Sequence, residues 1–118
     1  MSNIFIVYSH YDDKSFNASI KNTFVKKAEE EGHIVDVVDL YKIKFDPVFF
    51  GQEPDSEVLD HRKRIEKCDV IVLIAPIWNF RMPAILEGWI DKVLAPPWAF
   101  NFKKLIGNYG YPLGLSLI

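Results

Sequence analysis

Apolar and polar residues along this chain switch repeatedly between two periods. Ile4-Phe5-Ile6-Val7-Tyr8 is a continuous β-rich apolar run, the pattern of a strand covered on both faces. Over residues 15–31 the period lengthens. Ile20, Phe24 and Ala28 recur on one helical face, while Lys21, Lys26, Lys27, Glu29 and Glu30 lie mostly elsewhere. Ser15 caps the start of this predicted helix and Gly32 stops it. Residues 34–38 predict a second strand. A long connection, residues 41–55, is broken by Pro47, Gly51 and Pro54. Ser56 opens a short helix to Lys67 with Val58, Leu59 and Ile65 as its apolar positions. Val70-Ile71-Val72-Leu73-Ile74 is the third buried strand. Pro83 begins a helix over residues 84–93, whose apolar face holds Ile85, Leu86, Trp89, Ile90 and Val93. From Ala95 onward, prolines, glycines and aromatics give no regular pattern.

Strand and helix alternate three times without an internal repeat or low-complexity linker. Such alternation predicts a parallel sheet with right-handed crossovers, a doubly wound α/β fold in one domain spanning residues 1–118. The composition agrees: 118 residues with 49% hydrophobic content are enough for a core. Charge excludes one class of partner. Fourteen basic residues against sixteen acidic ones give a net charge of −2, and they alternate in sign, so nucleic acid is not expected. A lone cysteine, Cys68, rules out an internal disulfide framework and suits a reducing cytoplasm. The first apolar run lacks a basic leader and the longest, residues 70–77, is too short to span a bilayer, so a cytoplasmic chain without membrane insertion is expected.

Ligands of open doubly wound sheets bind beyond the carboxyl ends of the strands, where strand order reverses. That directs attention to residues 9–15 and 76–82. The first loop has no glycine, and the first glycine in the chain is Gly32. A dinucleotide fingerprint and a Walker loop are therefore both absent, and Asp36 and Asp39 lose their appeal as ribose ligands. What remains is a helix N-terminus flanked by His10, Ser15 and Asn17, a donor set suited to phosphate. The alternative is a plain Ser15 cap beside a solvated His10, with Asp12 and Asp13 unfavourable to an anion. In the second loop, Pro76 and Pro83 bracket Trp78, Asn79 and Phe80, which offer flat apolar faces and an amide for a planar heteroaromatic ring. The alternative there is a set of aromatics that merely cap the core.

His10-x4-Ser15-Phe16-Asn17 resembles the phosphate loop of the flavodoxin-like NAD(P)H:quinone oxidoreductases. Residues 76–93, Pro-Ile-Trp-Asn-Phe-Arg-Met-Pro-Ala-Ile-Leu-Glu-Gly-Trp-Ile-Asp-Lys-Val, closely resemble that family's signature after strand three. Asp39-Leu40-Tyr41 and Phe45-Asp46-Pro47 are also similar. The resemblance implies a bound flavin, FMN or FAD, reduced by NAD(P)H and reoxidised by quinones or similar acceptors in a ping-pong hydride transfer. It implies that His10, Ser15, Phe16 and Asn17 hold the phosphate and ribityl end. Pro76, Ile77, Trp78, Asn79 and Phe80 would then lie along the isoalloxazine. Asn79 is similar to the Asn-Phe pair of related azoreductases.

Trp98, Phe100 and Phe102 match a segment that walls the partner's substrate site in dimeric members, which implies a homodimer. Phenylalanine where some relatives have tyrosine implies a preference for apolar acceptors; simple interface burial is the alternative for these aromatics. No catalytic side chain or metal is implied. Relatives usually continue with two more strands, so Gly114-Leu115-Ser116-Leu117-Ile118 is expected to lead into strand four, leaving strand three as an apolar edge. Two further expectations stand beside the enzyme: a catalytically silent fold, and a flavoprotein regulatory subunit of a membrane transporter, as in relatives that control potassium efflux.

Overall fold

An apolar first strand belongs in the middle of a sheet, and β1 (Asn3–Tyr8) is there. It is followed by α1 (Phe16–Glu30), β2 (Ile34–Asp39), α2 (Ser56–Lys67), β3 (Val70–Ile74) and α3 (Ala84–Val93). The three strands run parallel in the order β2-β1-β3, with Ile4 opposite both Val35 and Val70. The computed structural model describes the backbone of residues 1–106 and 109–115 and the side chains of residues 1–100. Among the described residues, no helix is long and apolar enough to cross a membrane.

Alternation along β1 divides the core in two. Ile4, Ile6 and Tyr8 face α1, whose Ala18 and Ala28 complete one buried cluster together with Ile74 of β3. Phe5 and Val7 face the other way, into a larger cluster with Val58 and Ile65 of α2 and Leu86, Trp89 and Val93 of α3. Helices thus cover both sheet faces, as the alternation of elements predicts.

Ser15 caps α1, its Oγ accepting from the Ala18 amide at 3.1 Å, and Gly32 beyond the C-terminus has φ +84°. The buried stripe of α1 differs from expectation. Ala18, Val25 and Ala28 face the sheet, whereas Ile20 and Phe24 are exposed. Small alanines let the helix lie close to β1, and that rotates the larger residues outward. α2 opens at Ser56 as expected, and Asp55 just before it is the cap, its Oδ1 accepting from the Val58 amide at 2.9 Å. Leu59 is exposed, while His61 and Arg62 are buried in its place.

The segment after Ala95 corrects two further expectations. It is regular: β4 (Phe100–Ile106) and β5 (Tyr109–Leu115) form a separate antiparallel pair in which Phe100 lies opposite Leu115. Gly114 and Leu115 therefore close this hairpin instead of leading into the parallel sheet; Ser116, Leu117 and Ile118 lie outside the described residues. Val70, Ile71 and Leu73 of β3 are exposed, the apolar edge that the sequence implied.

Candidate functional site

The carboxyl ends of β1 and β3 are tied together where Ser9 N–H donates to the Ile74 carbonyl at 3.0 Å. Two loops rise from this floor. In the first, Tyr8 is fully buried and its hydroxyl donates to the Asp12 carbonyl at 3.2 Å, with Ser15 Oγ 3.4 Å away. Asp12 turns its carboxylate into the loop, where Oδ1 accepts from the Lys14 amide at 2.9 Å. His10 Nδ1 accepts from the Asp12 amide at 3.0 Å, so the neutral ring carries its proton on Nε2, free to donate. Ser15 acts as the cap; the amides of Phe16 and Asn17, in the first turn of α1, have no intrahelical acceptor. This end of α1 has no acid in its first turn and carries the positive end of the helix dipole.

The second loop is a closed turn. Trp78 N–H donates to the Arg81 carbonyl at 2.9 Å and Arg81 N–H returns the bond at 3.0 Å. Between them Asn79 and Phe80 have φ of 53° and 62°, the doubly left-handed geometry of a type I′ turn. Asn79 tolerates this; a bulky Phe80 does not, and its ring stands fully exposed. Arg81 pairs with Glu87 at 3.1 Å, fastening the turn to α3. Left-handed backbone costs a non-glycine residue about 1–2 kcal/mol, against about 0.5–1 kcal/mol for glycine's lost chain freedom. Phe80→Gly is therefore expected to raise stability by about 0.5–1 kcal/mol, read as a higher urea midpoint; a lower midpoint would show that the ring itself stabilises the fold.

Aromatic rings bridge the loops. His10 stacks on Tyr11 at 4.7 Å, and both approach Trp78, at 5.9 and 6.0 Å. Tyr41, after β2, meets Tyr11 at 6.2 Å. Burial and the neighbouring Tyr11 push the Tyr41 phenol up, so it stays protonated at neutral pH. Tyr8, Tyr11 and Tyr41 stand beside these loops although sequence reasoning did not name them as site residues; Tyr41 was marked only by the family-like Asp39-Leu40-Tyr41, and the other two only by their positions at a strand end.

The structure thus brings His10, Ser15, Phe16, Asn17, Pro76, Ile77, Trp78, Asn79 and Phe80 to one end of the sheet. Trp98 is elsewhere within the chain. Its Nε1 donates to Glu66 in the last turn of α2 at 3.1 Å, and Arg62 lies over its ring, near the amino ends of the strands. Phe100 begins β4; the Phe102 backbone pairs with Pro112 and its side chain lies outside the described residues. Burial pushes the Cys68 thiol up, and its S–H donates to the Ile65 carbonyl.

Could this crevice accept a flavin? It offers unbonded amides for a phosphate, exposed Ile77, Trp78 and Phe80 for an apolar ring, and one buried polar group wanting a partner. Ser9 Oγ at the crevice floor has none among the described residues. Donor set and apolar surface both fit.

Comparison with known proteins gives the same direction. A ribosyldihydronicotinamide dehydrogenase [quinone] from Pongo abelii is 32% identical over 83% of this chain and 53% of its own length. An NAD(P)H:quinone oxidoreductase from Methanothermobacter marburgensis superposes with a TM-score of 0.79 at 27% identity, covering 84% of this chain and 56% of that one. Smu.1420 from Streptococcus mutans superposes with a TM-score of 0.73 at 35% identity, over 86% of this chain and 57% of its own. The chain spans about half the length of the curated relatives it matches. A model of the flavodoxin-like fold matches residues 2–115, and the chain belongs to that family.

Proposed function

We propose that residues 1–118 form one flavin-binding domain serving flavin-dependent reduction of quinones, or similar acceptors, by NAD(P)H. The observation that carries this reading is the meeting of α1's unbonded amides with the exposed aromatic turn at the carboxyl ends of β1 and β3. The names of the quinone-reducing relatives support it.

In this reading His10, Ser15, Phe16 and Asn17 hold the phosphate and ribityl chain of FMN or FAD. Pro76, Ile77, Trp78, Asn79 and Phe80 bed the ring system, with backbone N–H groups of this loop donating to its polar edge. When bound, the flavin supplies the redox chemistry, carrying hydride from a reduced nicotinamide to a quinone. The chain's own part is orientation and stacking. In a cytoplasmic homodimer, Trp98, Phe100 and Phe102 wall the partner's acceptor site, and the two phenylalanines favour apolar acceptors.

The test is the visible spectrum of the purified protein after incubation with excess FMN or FAD and desalting. A near-stoichiometric flavin band is expected, and Trp78→Ala should weaken retention by about tenfold, the worth of one aromatic contact. Colourless protein would overturn the reading.

A further inference from the structure

The layer of α2 and α3 buries two cations without burying an anion. Arg62 is 9% exposed and Lys92 8%. Arg62 donates from Nε to the Val93 carbonyl at 3.0 Å and from Nη2 to the Lys92 carbonyl at 3.3 Å. Lys92 Nζ donates to the Asp46 carbonyl at 2.8 Å and lies over the Phe45 ring. Neither residue enters an ion pair among the described residues. Buried charges are ordinarily paired, because carbonyls alone do not repay their desolvation. The C-terminal end of α3, where Arg62 bonds, offers only about half a negative charge.

Beside both side chains opens a cavity of about 240 Å³, with Gln52, Pro96 and Pro97 in its walls. It draws on neither loop of the flavin crevice. Glu53 and Asp55 border it, but both are exposed, and Asp55 is engaged as the cap of α2; Glu57, half-buried on α2, feels the charge of Lys92 but forms no ion pair with it. Lys92 has two ammonium protons to spare and Arg62 its Nη1 group.

We propose that this cavity binds a phosphate-type oxyanion between Arg62 and Lys92. The anion supplies a direct ion pair, which Glu57 does not make, and by holding both helices it ties the connection through Asp46 to the core. Either inorganic phosphate or a phosphoryl group on a small carrier has this chemistry.

Thermal unfolding in sodium phosphate, at constant ionic strength against chloride, tests the site. The wild-type midpoint is expected to rise saturably by several degrees. Arg62→Gln keeps donors for the carbonyls and removes the charge, and it should lose that rise. Glu53→Gln, an exposed change that leaves folding intact, should bring half-saturation to a severalfold lower phosphate concentration. Phosphate at the α1 N-terminus contributes equally to all three proteins and cancels in the differences, so failure of the flavin reading leaves this test standing. Glycerol phosphate in place of phosphate separates the sources: an equal rise assigns the site to a carried phosphoryl group, none to the free ion. Phosphate dependence that is absent, or identical in wild type, Arg62→Gln and Glu53→Gln, overturns the proposal. If Arg62→Gln does not fold, an unchanged Glu53→Gln half-saturation overturns it alone.

Discussion

Gly88→Ala is expected to destabilise the protein by about 2–3 kcal/mol, although the same change inside an ordinary helix gains about 1 kcal/mol. The reversal comes from what crosses α3 at that point. A Cβ on Gly88 would overlap the carbonyl oxygen and Cβ of Pro47, and would stand 2.6 Å from its Cα. These are backbone and ring atoms, so no rotamer change relieves the overlap. Nor is the connection free to lift away: Phe45 is buried beneath it, and Lys92 holds the Asp46 carbonyl. Urea unfolding of the two proteins measures the difference. A variant at least as stable as wild type would mean that Pro47 does not rest on α3.

Acidification below pH 6.5 should loosen the core through one histidine. His61 is 3% exposed, stacked against Phe45, and its Nδ1 accepts from Trp89 Nε1–H at 3.0 Å. Burial first, and then the Arg64 cation, pull its pKa below the ordinary value of 6.5, while Asp60, Asp36 and Asp55 oppose the shift. With the folded pKa depressed, the unfolded chain binds the proton more readily. The stabilisation is therefore complete above about pH 6.5 and is lost as pH falls through the folded pKa. The structural cause is direct, since a protonated Nδ1 would set a donor against the indole donor. Glu57 acts oppositely in a lower range, because burial and Asp55 raise its carboxyl.

His61→Gln should retain an acceptor for Trp89 and flatten the pH dependence. His61→Leu should flatten it too, while costing about 1–3 kcal/mol at neutral pH for the orphaned indole N–H. Equal slopes between pH 5 and 7 in wild type and His61→Gln would sink this account.

Sequence pattern was most informative where one physical demand dominated. The runs at residues 4–8 and 70–74 could only be strands buried at least in part, and Ser15, Gly32 and Pro83 mark helix ends by their own backbone chemistry. Periodicity misled on α1, because Ile20 and Phe24 outweigh alanines in hydrophobicity while Ala18 and Ala28 win by size. Buried His61 and Arg62 were illegible for a related reason. Their partners, Trp89, Val93 and Lys92, lie some thirty positions away, and only the packing of α2 on α3 brings them together. The strands after Ala95 were hidden by the aromatics, prolines and glycines of that stretch, which follow neither period cleanly. At the crevice, Trp78 and His10 were marked by their loops, whereas the left-handed pair Asn79–Phe80 was invisible without coordinates.

The position of β1 has a consequence for synthesis. It is synthesised before both of the neighbours it needs: Ile4 waits for Val35 and then for Val70. At about 5–20 residues per second, β3 follows β2 by roughly 2–7 s. During that interval a β1–α1–β2 unit can close on one side, while the second edge of the central strand and the apolar side chains of Phe5 and Val7 stay open. A nascent chain paused there is a substrate for chaperones, and slow codons between residues 40 and 70 should lower the soluble yield without changing the sequence of the product.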